Sequence, residues 1–354
     1  MKNVRLFTLM LFAGLLAVSF NSCKEEEEPT PEPTVRFLVD VNATDGYTVD
    51  ITLESTDATT FAWDYGDGNT SAENSSHSYT YEASGDYTIT VTATGEGGTA
   101  TDSESVTIVA SFEEIMAGSD NNGKVWVLTQ TEASFSGKMG AGPVQNDGYL
   151  IPEMSLVPSN MLGIFGLGDE YTDEFTFFKD GTFKVDVKNN QALAGVVYGE
   201  TTQSIVTMSA DPGSLPLCAV TYANIDDGTW ALSYDDLTVT AFNEFSSGEV
   251  EDVVYTFGED ANVANLQLST GAYVGLVDLA YPAIPAMGLM DAVDNSFYVI
   301  KEISPEAIHV IIGINGVPGL DGEGNAVYDP AEIVTPVFML PTFTLHLTLV
   351  PKDL

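Results

Sequence analysis

The chain has 354 residues, with 52 Asp and Glu against 11 Lys and Arg, for a formal net charge of −41. That balance argues against nucleic acid as a partner, because phosphate binding needs clustered cations; it suits a solvated exterior protein or one that holds hard cations such as Ca2+. A hydrophobic fraction of 44% predicts a real core, and three scattered His with two Cys supply no familiar zinc set.

Residues 1–22 open with Lys2 and Arg5, run through an apolar stretch from Leu6 to Phe20, and end on Asn21 and Ser22 before Cys23. This is the order of a secretory signal, and the apolar run is short for a membrane span, which needs roughly 20 apolar residues. A Cys closing such a run resembles a bacterial lipoprotein signal, with Cys23 as the lipidated first residue of the mature chain. The Lys24-Glu25-Glu26-Glu27-Glu28 run resembles the surface-export signal of Bacteroidota lipoproteins; a plain solvated tether is the alternative. The resemblance implies a lipid anchor in the outer membrane and exposure at the cell surface. Residues 23–34, acidic and Pro-rich, read as an extended tether. With Cys23 acylated, Cys218 has no disulfide partner and reads as a small buried apolar residue.

Residues 35–110 alternate apolar and polar with period two, as in Phe37, Val39 and Val41 or Tyr87, Ile89 and Val91. Turn residues punctuate them at Thr44-Asp45-Gly46, Gly66-Asp67-Gly68 and Ser84-Gly85-Asp86. Short strands at this spacing predict an antiparallel β-sandwich. Trp63-Asp64-Tyr65-Gly66-Asp67-Gly68, then His77-Ser78-Tyr79, then Gly85-Asp86-Tyr87-Thr88-Ile89-Thr90-Val91, resembles the PKD domain, an Ig-like module. Trp63 is expected to fill the space between sheets. Gly66 and Gly68 permit a tight turn, and Asp64 and Asp67 can accept backbone N–H bonds within it. His77 and Tyr79 read as structural partners of that turn. The resemblance implies a spacer that sometimes binds glycan or protein.

Residues 111–354 read as a second, larger all-β domain, an antiparallel β-barrel or β-sandwich, after a short helical linker at Ser111–Gly118. Alternation recurs at Phe175–Phe178, Phe183–Val187, Trp230–Tyr234, Tyr298–Ile300 and Phe343–Leu349. Lys179-Asp180-Gly181-Thr182 is a hairpin turn between aromatic strands. The apolar stretches Met154–Gly168 and Leu276–Met290 read as loops packed over an opening, or as insertions covering a core. Gly123-Lys124-Val125-Trp126, Gly140-Ala141-Gly142-Pro143 and the strands around Phe175, Phe183, Trp230, Tyr298 and Leu345 resemble the β-rich C-terminal modules of PKD-bearing Bacteroidota lipoproteins. They are also loosely similar to lipocalin-like barrels. Some of the former belong to glycan-utilisation loci, which implies polysaccharide as a ligand.

Candidate chemistry is sparse. Glu170, Asp173 and Glu174 form the best acid cluster, and a retaining glycosidase needs two carboxyl groups about 5 Å apart. The E-x-D-x-x-E signature of laminarinase-type enzymes is not matched. Asp321, Glu323, Asn325, Asp329 and Glu332 stand at positions one, three, five, nine and twelve of a Ca2+ loop, although Ala326 replaces the Gly at six. Tyr149, Tyr171, Asp173 and Glu174 are the candidate ligand contacts, within a wider set of tyrosines in turn-rich surroundings: Tyr198, Tyr222, Tyr281 and Tyr328. No catalytic residue is assigned and no nucleophile motif is present. The reading is a non-catalytic cell-surface lipoprotein that binds an extracellular polysaccharide. The alternatives are a glycoside hydrolase or lyase acting through Glu170–Glu174, and an adhesion subunit that binds another surface protein.

Overall fold

The computed structural model describes residues 29–43, 45–130, 140–142, 144, 160–210, 216–242, 249–257, 262–285, 289–327, 332–336 and 339–352. Cys23 with its signal segment, Tyr149, Tyr328 and Asp329 lie outside them. The chain forms two compact units, Met1–Val109 and Ala110–Leu354.

In the first unit the strands are β1 (Thr34–Val41), β2 (Thr48–Thr56), β3 (Thr60–Asp64), β4 (Thr70–Ser71), β5 (His77–Thr80), β6 (Gly85–Gly95) and β7 (Gly98–Ile108). They make two antiparallel sheets, β1-β2-β5 and β4-β3-β6-β7. Period-two alternation turns Phe37, Val49, Ile51, Trp63, Ile89 and Val91 into the space between them. Trp63 is the largest of these, and its indole N–H donates to the Glu73 carbonyl at 2.9 Å, so the ring is buried without an orphaned donor.

The second unit starts with helix α1 (Phe112–Ala117), capped by Ser111, whose hydroxyl accepts the Glu114 N–H. Its strands follow: β8 (Lys124–Leu128), β9 (Gly140–Gly142), β10 (Glu174–Phe177), β11 (Thr182–Asp186), β12 (Gln191–Gly195), then helix α2 (Val196–Thr202), β13 (Ile205–Met208), β14 (Leu217–Thr221) and β15 (Ile225–Ser233). After these come β16 (Leu237–Phe242), β17 (Val250–Tyr255), β18 (Ala264–Leu268), β19 (Ala280–Tyr281), β20 (Val293–Asp294), β21 (Tyr298–Ile303), β22 (Ile308–Ile314), β23 (Gly319–Leu320), β24 (Ala326–Val327), β25 (Thr335–Pro336) and β26 (Phe343–Pro351).

Eight of them, β8, β10, β11, β15, β18, β21, β22 and β26, pair antiparallel each with the next. The ring closes where β26 pairs with β22 on one side and with β8, Leu349 against Leu128, on the other. The open choice between barrel and sandwich is thus decided as an eight-stranded meander barrel. Closure removes the free strand edges that a sheet otherwise has to protect.

A barrel of this strand number is just wide enough for side chains to fill. Trp126, Phe175, Phe177, Phe183, Trp230, Tyr298, Ile312 and Leu347 belong to that filling. Strands β22 and β26 are buried on both faces, and outside β22 the β16–β17 hairpin contributes to a second cluster, Val239, Ala241, Tyr255, Phe297, Val299 and Ile311. At one end of the barrel the turn at Lys179–Gly181 and the short link at 304–307 are tight, and α1 packs there: the Trp126 indole N–H donates to Met116 O, and Lys124 Nζ donates to Ile115 O and Pro305 O. From the other end leave four long connections, residues 129–173, 187–224, 269–297 and 315–342. One of them turns back into the barrel. Tyr273, Val274 and Leu276 are buried, and Gly275 (φ +74°) approaches the inner wall so closely that a Cβ there would lie 2.6 Å from Leu347 and 3.4 Å from Leu128.

Candidate functional site

Because the lumen is filled, a ligand surface has to be sought where the long connections gather. There, a cleft of about 550 Å3 opens between α2, the segment leading into β15, the turn after β18 and the approach to β21. Tyr198 and Tyr281 form its floor, with ring centroids 5.2 Å apart. Tyr222 is half-buried on the wall; its hydroxyl donates to the Gly271 carbonyl at 2.6 Å and its ring sits edge-on to Tyr273. Burial holds the Tyr198 and Tyr222 hydroxyls above the ordinary phenol range, so both are neutral donors at physiological pH.

Polar groups ring these apolar faces. Asp294 is exposed, and its two oxygens accept N–H bonds from Gly271 and Ser296, each at 3.0 Å. Asn224 is fixed by accepting the Val187 N–H and donating to Asp186. Thr202, Ser204, Thr221 and Thr270 complete the rim. A hollow of this size lined by aromatic faces and a few fixed polar groups has the character of a small-molecule or glycan site.

The acid cluster sits elsewhere. Glu170 lies within a 3-10 turn, Gly168–Thr172, and Asp173 closes it before β10; each is only 3% exposed. Burial raises the Glu170 carboxyl to about 8, with nearby Asp173 and Asp169 adding to it, and Glu170 Oε2 has no hydrogen-bond partner among the described residues. Burial likewise raises Asp173 to about 7, against the Lys188 N–H and the Tyr273 hydroxyl that both donate to it. Asp278, on the segment that re-enters the barrel, is raised to about 8 by burial, while the N–H groups of Leu279 and Asn315 pull the other way. Glu174 points outward and is paired with Lys352 at 2.7 Å and Lys188 at 3.0 Å.

Of the candidate ligand contacts, Tyr171 is buried and its oxygen accepts the Leu162 N–H. Asp173 is buried and Glu174 is engaged in ion pairs, so these three do not line the cleft. Three members of the wider tyrosine set, Tyr198, Tyr222 and Tyr281, do converge there. Of the Ca2+ loop, Asp321 accepts bonds from the N–H groups of Glu323 and Asn325 and from the Asn325 amide, closing a local turn, and Glu332 is exposed. Among the described residues no group of three or more His, Cys, Asp or Glu is placed to hold a metal ion.

The structure also joins two of the scattered histidines. His309 on β22 and His346 on β26 meet at 3.1 Å, Nε2 to Nδ1, in the covered outer wall. Burial lowers them to about 4 and about 3. Their places in the apolar runs Ile308-His309-Val310 and Leu345-His346-Leu347 were the sequence signal, but pairing them required the strand register.

In the first unit the turn after β3 is built as a network. Asp64 accepts the Gly66 N–H at 2.9 Å. Asp67 accepts the Asn69 N–H and the Tyr79 hydroxyl. His77 Nε2 and the Ser71 hydroxyl meet the Tyr65 hydroxyl, and a Cβ on Gly66 (φ +80°) would lie 2.7 Å from the Thr88 carbonyl oxygen. Residues 30–110 match the family model of the PKD domain. This unit is a PKD domain.

Similar solved structures include the PKD1 domain of the Vibrio cholerae metalloprotease PrtV, 26% identical over all of that domain and 23% of this chain, at a TM-score of 0.21. The PKD1 domain of Vibrio anguillarum Epp is 29% identical over 99% of that domain and 23% of this chain, also at a TM-score of 0.21. A structure of carbohydrate-binding modules from the β-sandwich superfamily aligns over 91% of this chain and 92% of its own, at 10% identity. Its TM-score of 0.22 is too low to mark a shared fold. Among curated proteins none matches the chain.

Proposed function

We propose that this chain is a lipid-anchored surface protein of the Bacteroidota type that holds an extracellular polysaccharide without cleaving it. The PKD domain serves as a spacer, and the barrel domain supplies the binding surface. The observation that carries this reading is an open cleft where half-buried Tyr222 stands beside a floor of buried Tyr198 and Tyr281, rimmed by hydroxyl and carboxylate groups. The partly exposed Tyr222 ring is the face a sugar can stack on. A binding role is favoured over hydrolysis because Glu170 and Asp173 are buried and Glu174 is tied to two lysines. A glycosidase needs its two carboxyl groups flanking an open sugar cleft.

Calorimetry of the full chain against a panel of polysaccharides tests the reading. Binding without product release is expected, weakened about tenfold or more in Tyr222→Ala through lost stacking area. An absence of binding across the panel, or cleavage of any member, overturns it. Metabolic labelling with palmitate tests the anchor: label is expected in the wild type and is lost in Cys23→Ser.

A further inference from the structure

We infer that the tyrosine cleft is one of two adjoining subsites in a groove for an uncharged glycan chain, the second lying against the outer wall of the barrel beside β18. The inference rests on the polysaccharide reading above and goes further in naming the ligand's charge class and its span. A second hollow, of about 250 Å3, is lined by Asn265, Gln267, Ser296 and Phe297, and it shares Thr270 and Asp294 with the tyrosine cleft. The two are therefore contiguous at those residues. On β18 the alternation that sends Leu266 into the core sends Asn265 and Gln267 to the opposite face.

The chemistry of the lining sets the class of ligand. Among the described lining residues of both hollows there is no Lys, Arg or His, and one carboxylate, Asp294, stands at their junction. A sulfated or uronate chain would bring like charge against that carboxylate with no cation to offset it, on a chain already at −41. Hydroxyl groups suit the site better. Each oxygen of Asp294 accepts one backbone N–H and retains a further lone pair for a sugar hydroxyl. The exposed amide of Gln267 offers both donors and an acceptor. The Tyr222 ring in the first subsite and the Gln267 amide in the second would bind successive sugars of one chain in different ways.

Calorimetry with the full chain separates the possibilities. The neutral probes are glucan, mannan and xylan oligosaccharides as di-, tetra- and hexasaccharides; the anionic probes are dextran sulfate and oligogalacturonate. A neutral series is expected to bind more tightly as it lengthens. Gln267→Ala is expected to weaken the hexasaccharide about fivefold, the worth of about one hydrogen bond, and to leave the disaccharide unchanged. Gln267 is exposed on its strand, so the variant keeps the fold. Tyr222→Ala is expected to weaken every length. Anionic probes binding as tightly as neutral ones, or an affinity flat with length and indifferent to Gln267→Ala, overturns the inference while leaving polysaccharide binding intact. Binding by none of the probes removes the polysaccharide reading and the inference with it.

Discussion

The PKD domain and the barrel domain shift their carboxyl groups in opposite directions. In the PKD domain Asp67 lies in a surface turn, where the Tyr79 hydroxyl and the Asn69 N–H hold its carboxyl below the ordinary range despite partial burial. At the barrel mouth Glu170, Asp173 and Asp278 are buried and raised to about 8, 7 and 8. At the surface the donors outweigh partial burial and the carboxylate stays ionised; inside, the two donors to each of Asp173 and Asp278 do not offset full burial, and the proton is held more tightly. A chain with this excess of acid can therefore pack acids into a core only by discharging them. The two domains should consequently answer differently to mutation and to pH.

The largest expected effects come from one buried tryptophan in each domain, Trp63 and Trp126. Trp63→Ala and Trp126→Ala should each cost about 3–5 kcal/mol, since each leaves a large cavity and removes an indole hydrogen bond. Hydrogen exchange read by mass spectrometry distinguishes the domains. Trp63→Ala should remove protection from β1–β7 and spare the barrel strands, and Trp126→Ala should do the reverse. Loss of protection in both domains from either variant would contradict the division into two units.

Next in size is the response to pH. The buried acids have folded pKa values raised above their unfolded ones. Their contribution to stability is full below about pH 4 and is lost as pH rises toward about 8, at about 1.4 kcal/mol per pH unit for each group while it differs between states. The histidine pair works in the other direction. His309 and His346 are depressed to about 4 and about 3, so their contribution is present above the unfolded value near 6.5 and fades as pH falls below it. Denaturant titration across pH 5 to 9 should show the barrel losing stability between about pH 5 and 8 and levelling above that. Glu170→Gln and Asp278→Asn should each flatten that decline. An unchanged decline over that range in both variants would show that these groups are not its source.

A smaller effect is expected where the 269–279 segment enters the barrel. Gly275→Val places a branched side chain against Leu347 and Leu128 at a positive φ, and should cost about 1–3 kcal/mol through overpacking and backbone strain. The reading to watch is exchange in residues 270–279. A rise confined there would mean that the segment yields before the barrel wall does, whereas unaltered exchange and stability would mean that the approach is not tight.

These effects also separate what the sequence could show from what it could not. The PKD turn was legible because its partners lie close together in the chain: Trp63, Asp67, Asn69, His77 and Tyr79 sit within one strand–turn–strand passage. The barrel strands showed as alternation, as in Phe175 and Phe177 or Phe183 and Val185, both buried pairs. Closure was not legible, because it depends on the last strand meeting the first, Leu349 against Leu128. The cleft was legible only in its ingredients. Tyr198 and Tyr222 stand well apart on one connection and Tyr281 comes from another, and nothing local in any of them marks a shared opening. Charge was misleading at Tyr171 and Asp173, where an acidic, aromatic stretch reads as surface and the fold buries both.

The finest test of the comparison is Asp67 itself. Its Oδ2 accepts the Tyr79 hydroxyl at 2.6 Å and its Oδ1 accepts the Asn69 N–H at 3.0 Å. The Tyr79 ring is stacked on Tyr65 at 3.7 Å, so the carboxylate anchors one end of an aromatic pair. That environment also raises the Tyr79 hydroxyl to about 12, chiefly by burial and then by the bond to Asp67. Because Asp67 is depressed in the folded state, its contribution is present above the unfolded value near 3.8 and disappears as pH falls through the folded one. Asp67→Ala should cost about 1 kcal/mol at neutral pH, the net worth of such bonds when they remain partly solvated. The gap between wild type and variant should narrow below about pH 4, where the wild-type carboxyl takes up its proton. A gap that persisted unchanged into acid would mean that Asp67 acts through packing, and the contrast with the discharged acids of the barrel would then not extend to this turn.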